Sequence, residues 1–193
     1  MILKKYILLF FLAFLVACGN NATQKAEEQT SVTASQAGHD YAKADTKKIK
    51  LEVPTFDSTK IEKGQVAALI KPYLALKDAF VASNATETQK LAGELVDVIG
   101  NEALASVKAD AEKIKQTADL ATQRESFYQL SAKIFTLVKQ FGGNKQELHQ
   151  QYCPMAFNDQ GAYWLSDKTE IRNPYFGDEM LTCGMVNESL AVK

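Results

Sequence analysis

An all-α fold, an antiparallel four-helix bundle with an irregular C-terminal cap, is predicted by three observations. Apolar residues between positions 62 and 141 recur at three- and four-residue spacings, the period of a helix with one buried face. Short polar or glycine-bearing breaks divide that stretch into four segments. Beyond residue 144 the period is lost, and Cys, Met, Pro, Gly, Trp and Tyr replace Ala, Lys and Leu.

In the first segment Val66, Leu69, Ile70, Tyr73, Leu74, Phe80 and Val81 share a face, and Pro72 inside it predicts a kink or a helix start near Lys71. After a loop at Ser83 and Asn84, Thr86 and Glu87 fall among the first residues of a second helix that turns Leu91, Leu95, Val98 and Ile99 inward. Gly100 and Asn101 end it. The third segment carries Leu104, Val107, Ala111 and Ile114 as a bundle seam. The fourth, Leu120 to Phe141, presents Phe127, Leu130, Ile134, Val138 and Phe141 before Gly142 and Gly143 stop it. Four such helices bury their stripes most economically against one another. Phe80, Phe127 and Phe135 are read as packing, and Arg124 as a solvated residue rather than a buried ion-pair anchor.

The N-terminus reads as a secretory signal: Lys4 and Lys5, an apolar run Ile7 to Phe14, then Leu15-Val16-Ala17-Cys18. That run is too short to span a bilayer, which takes about 20 residues. The Leu-Val-Ala-Cys junction resembles a lipobox. It implies a signal peptide at 1–17 and lipid on Cys18, so the chain is expected in the cell envelope, held by its lipid on the periplasmic face. Gly19 is not the aspartate that retains some lipoproteins at the inner membrane, which favours the outer one. Residues 18–55 hold few sizeable apolar groups and are read as a disordered tether that includes His39. The folded domain is then 56–193, a length that suits one core.

Of the whole chain's charge of −1 at pH 7, Lys4 and Lys5 would leave with the signal. What remains is mildly acidic, without the basic stripe a nucleic acid requires, and no nucleic-acid partner is expected. With Cys18 assigned to lipid, Cys153 and Cys183 remain. In an oxidising compartment two free thiols are unusual, so they are bonded to each other or held by something else.

Each of these cysteines has a methionine two or three residues away: Tyr152-Cys153-Pro154-Met155 and Met180-Leu181-Thr182-Cys183-Gly184-Met185. Thiolate and thioether sulfurs are soft donors that prefer Cu(I) to Mg or Ca. Proline fixes the backbone between Cys153 and Met155, and Met180 and Cys183 converge if they share a helical turn.

Cys153-Pro154-Met155, Trp164-Leu165-Ser166, Asn173-Pro174-Tyr175-Phe176-Gly177 and Met180-Leu181-Thr182-Cys183-Gly184 together resemble an exported domain family of unknown function over roughly residues 60 to 190. Its members stand alone or are fused to the C-terminus of membrane-fusion subunits of Cus-type copper and heavy-metal efflux pumps. The resemblance implies Cys153, Met155, Met180 and Cys183 as ligands of Cu(I) or another soft metal ion, with a metal-efflux membrane-fusion protein as partner. Ala156 and Phe157 stand where related heavy-metal segments carry His-Pro. His149, Met185 and Trp164 are second choices. His149 joins the site if its region is helical, and the Trp164 ring could cover a cation.

The competing expectation is a structural Cys153–Cys183 disulfide in a non-enzymatic adaptor, whose Trp164 to Phe176 loop docks on an envelope partner. No catalytic residues are assigned and no organic cofactor is expected. The chain has no nucleophile elbow, phosphate loop or metalloprotease helix motif, and Asp159, Asp167, Asp178 and Glu179 read as solvated acids.

Overall fold

The computed structural model describes residues 48–193. The expected signal peptide, the lipid site at Cys18, His39 and the tether up to residue 47 lie outside them. Four main helices pack together: α1 (Lys63–Val81), α2 (Ala85–Val98), α3 (Ala105–Gln116) and α4 (Leu120–Phe141). Each lies against the next, and α1 also packs on α4. Side chains define their starts. Glu62 and Gln65 form a capping box on α1, Asn84 accepts the Glu87 N–H at 3.0 Å, and Asp119 accepts the Thr122 N–H at 2.9 Å. Such caps satisfy donors that the first helical turn leaves without partners.

Most seam residues lie as the spacing requires, with Leu69, Phe80, Leu95, Leu104, Val107, Ile114, Phe127, Leu130 and Ile134 buried, but Val98, expected to point inward, is exposed at the last position of α2. Pro72 does not start a helix, because α1 is already formed at Lys63 and continues past it. The carbonyl deprived of its donor belongs to Ala68, on the exposed side of α1, where it is open to solvent. Arg124 is not a freely solvated residue. It is half-buried and donates from Nε to the Pro174 carbonyl and from Nη2 to Ser83 Oγ, both at 3.0 Å.

The C-terminal region departs from the all-α expectation. It forms a three-stranded antiparallel sheet in the order β2-β1-β3, with β1 at Leu148–Cys153, β2 at Ala162–Ser166 and β3 at Met185–Leu190. The protein is therefore mostly helical with a small sheet as its cap. The central strand, Leu-His-Gln-Gln-Tyr-Cys, hides its nature by burying polar groups. His149 Nδ1 meets Ser189 Oγ at 2.9 Å, Asn187 donates to Gln150 Oε1 at 2.7 Å, and Gln151 Nε2 donates to the Lys168 carbonyl at 2.8 Å. Partners this distant in sequence make burial of polar groups affordable and leave no apolar alternation to read.

Bundle and sheet meet at Tyr73, which is fully buried. Its ring stacks on Phe127 at 5.5 Å between centroids. Its hydroxyl lies 2.9 Å from Ser131 Oγ and accepts the Leu165 N–H of β2 at 3.0 Å. Tyr175, from the loop between β2 and β3, extends the aromatic layer onto Phe127 (5.8 Å) and Trp164 (5.9 Å). Tyr73→Phe keeps the ring and strands a buried strand N–H, so it should lower unfolding stability by about 1–3 kcal/mol. Urea denaturation measures this, and an unchanged midpoint would show that the hydroxyl does not join the two parts.

Candidate functional site

The two cysteines come together from opposite sides of the sheet's covering loop. Cys153 closes β1 and is fully buried. Cys183 lies two residues before β3, in a turn where its N–H donates to the Met180 carbonyl at 3.0 Å. The sulfurs are 2.6 Å apart. Residues 167–184 run over the sheet face that carries Gln151, Cys153 and Trp164, and polar bonds hold them there. Gln151 Nε2 reaches the carbonyls of Lys168, Thr169 and Glu170. Asn173, fully buried, exchanges bonds with three segments of the loop. Its N–H donates to the Leu181 carbonyl and its Nδ2 to the Cys183 carbonyl, while its Oδ1 accepts the Tyr175 N–H, each at 2.8 Å.

Gly184 lets the loop return to the sheet. Its φ is +145°, and a Cβ there would sit 2.8 Å from the Tyr152 carbonyl oxygen and 3.0 Å from Trp164 Cη2. Neither Gln151 nor Asn173 nor Gly184 stands out by chemistry in the sequence. The Asn173-Pro174 and Cys183-Gly184 pairs were visible only as parts of motifs, because the roles of these residues depend on contacts across the loop.

The expected metal ligands are distributed unevenly about the sulfurs. The Met155 backbone N–H lies close enough to the Cys183 sulfur to pull that thiol's pKa down against the larger effect of burial, which puts the Cys-Pro-Met turn at the cysteine pair, but Met155 is 48% exposed. Met185 is 57% exposed and Met180 is half-buried. His149 lies on a strand and not on a helix, so four residues carry it about 13 Å along the chain from Cys153. Trp164 is buried against Gly184 and Tyr175, and its Nε1 has no hydrogen-bond partner. Among the described residues no three His, Cys, Asp or Glu side chains cluster as a metal would require. A metal bonded to both sulfurs at about 2.3 Å, the usual zinc–thiolate length, would need an S–metal–S angle of about 70° at their present separation. Both cysteines are free thiols in the structure, and an ion between them requires the sulfurs to move apart.

Burial, and then the neighbouring Cys153, push the Cys183 thiol from its ordinary 9.0 up to about 11. A reduced Cys183 therefore stays protonated near neutrality and is a poor nucleophile. Of the loop offered as a docking element, Trp164 and Asn173 to Tyr175 are buried in the packing, while Lys168, Thr169, Glu170 and Arg172 are exposed. The exposed apolar side chains around the site are Met155, Tyr163, Met185 and Val186. Tyr163 and Met185 flank Tyr152 as its partners on the two neighbouring strands. A cavity of about 510 Å³ lies elsewhere, between Ile70 and Leu74 of α1 and the Gly143–Gln146 segment, and holds no sulfur.

A family model described as a protein of unknown function, DUF3347, matches residues 69–146, which covers most of the helical bundle and stops before the cysteines. No curated protein and no solved structure matches the chain.

Two outcomes follow from this geometry. Gly184→Ala should cost about 1 kcal/mol or more in stability, because alanine strains at that φ and meets the Tyr152 carbonyl. Wild-type stability in denaturant would contradict the close approach. Because its raised pKa lets the folded reduced chain keep the Cys183 proton after the unfolded chain has lost it, this stabilisation is complete below pH 9 and disappears as pH rises to about 11. Under reductant, the wild type should lose more stability across that window than Cys183→Ser. Parallel curves would contradict it.

Proposed function

We propose that the chain is a lipid-anchored, non-enzymatic module of the cell envelope whose Cys153 and Cys183 close as a disulfide, clasping the 167–184 loop to the sheet. The observation that carries this reading is the 2.6 Å separation of the two sulfurs. It leaves no room for an ion and needs little movement to reach the bonded distance of about 2.05 Å. The Leu15-Val16-Ala17-Cys18 junction supports the anchor and the oxidising compartment. The cysteines lie 30 positions apart, and closing such a loop stabilises a fold by about 3–4 kcal/mol on the chain-entropy description. The partner is an envelope protein of the metal-efflux membrane-fusion class, as the family resemblance implies, met through exposed Tyr163 and Met185, which flank half-buried Tyr152 beside Met155.

A second reading is favoured by the nearness of the Met155 backbone to the Cys183 sulfur, which brings a residue with a soft thioether next to the pair. When reduced, the same sulfurs, with Met155 and Met180, hold Cu(I) or another soft ion as an accessory to metal efflux.

Protein extracted from membranes and alkylated before any reductant is added should show Cys153 and Cys183 unmodified by mass, and both modified after reduction. Alkylation of both without reductant would overturn the disulfide. For the second reading, the reduced protein competes anaerobically with a chromophoric chelator for Cu(I). Cys153→Ser should lower its affinity at least tenfold, and an unchanged affinity would end that reading.

A further inference from the structure

The segment before α1 is bound to the body in an unusual way. Residues 49–56 form neither helix nor strand, yet glutamine side chains answer their backbone as a neighbouring strand would. Gln160 accepts the Ile49 N–H at 2.7 Å and donates to the Ile49 carbonyl at 2.6 Å. Gln129 accepts the Glu52 N–H at 2.8 Å and donates to the Lys50 carbonyl at 2.6 Å. Gln140 donates to the Phe56 carbonyl at 3.2 Å. Of these strap residues, Phe56 alone is buried. Between the two glutamine clamps and Phe56, the strap crosses Lys133 of α4, whose ammonium is buried against Asp110 of α3. It does so loosely, because Glu52, Val53 and Pro54 face Lys133 and Ser106 across a cavity of about 290 Å³.

We propose that residues 49–56 are a latch that opens without unfolding the bundle and ties the chain preceding the domain to the turn at 156–161. Two features make it a separate unit. Its bonds are polar and half-exposed, the kind that opens at low free energy, and its apolar anchorage is small, a buried Phe56 and a half-buried Ile49. Its connection to the turn is Gln160, whose two polar groups both bond the Ile49 backbone, with Nε2 also 3.5 Å from the Tyr128 hydroxyl. That turn holds Phe157, Asn158 and Asp159 at φ values of 54°, 55° and 62°, a left-handed run that non-glycine residues keep only when their surroundings impose it. The turn follows Cys153-Pro154-Met155 directly, so a pull on the preceding chain reaches the cysteine end of the cap first. The proposal rests on neither the lipid nor the disulfide.

Hydrogen exchange of the full chain in detergent, read by mass spectrometry, tests it with strap variants that leave the turn's own residues in place. Ile49→Pro removes the donor to Gln160, and Gln129→Ala removes the second clamp. In the double variant, peptides covering 50–56 and 156–161 should exchange at least tenfold faster than in wild type, while α2 and α3 peptides keep their rates. A turn that exchanges at its wild-type rate, or helices that accelerate as much as the strap, would overturn the latch.

Discussion

The structure depends on the buried phenol oxygen of Tyr73. A helical bundle and a three-stranded sheet have different repeats and no natural register with each other, so something specific must fix how one sits on the other. The Tyr73 hydroxyl does so by taking a strand N–H on one side and meeting Ser131 on the other. The aromatic layer of Tyr73, Phe127, Tyr175 and Trp164 then fills the space around that bond. Desolvation holds the Tyr73 phenol neutral well beyond its ordinary range, as suits a group that serves as a neutral donor and acceptor. Burying that hydroxyl is tolerable because both neighbours are polar, and the same neighbours would be costly without it.

The helices were legible because their information is local. Leu104, Val107, Ala111 and Ile114 announce a buried stripe within eleven residues, whereas the caps at Asn84 and Asp119 emerge only from the structure. Pro72 was ambiguous for a physical reason. Its cost depends on whether the carbonyl it deprives faces water, and that is set by how α1 packs. The sheet was illegible because its central strand buries His149, Gln150 and Gln151, whose partners come from Ser189, Asn187 and the Lys168–Glu170 carbonyls. Without those partners the strand looks too polar to be inside.

The candidate site was half legible. Cysteine–methionine spacing drew attention to the right segments, and the structure brings Cys153 and Cys183 together as both sequence readings required. What spacing cannot supply is direction. The thioethers of Met155 and Met185 reach outward, and His149 is carried away by an extended backbone. The residues that hold the loop over the sulfurs, Asn173 and Gln151, are neutral amides with no reactive chemistry to advertise. Burial favours the protonated Cys183 thiol, and the sulfurs stand too close together to admit an ion between them without moving apart.

A cap joined to the bundle through a buried hydroxyl and a shared aromatic layer must unfold with it. Trp164 is the chain's one tryptophan and lies in the cap, whereas far-ultraviolet circular dichroism is dominated by the four helices. Equilibrium urea unfolding of the oxidised protein, followed by both signals, measures this coupling. The two transitions should superimpose. A tryptophan transition complete before the helices begin to melt would contradict the account.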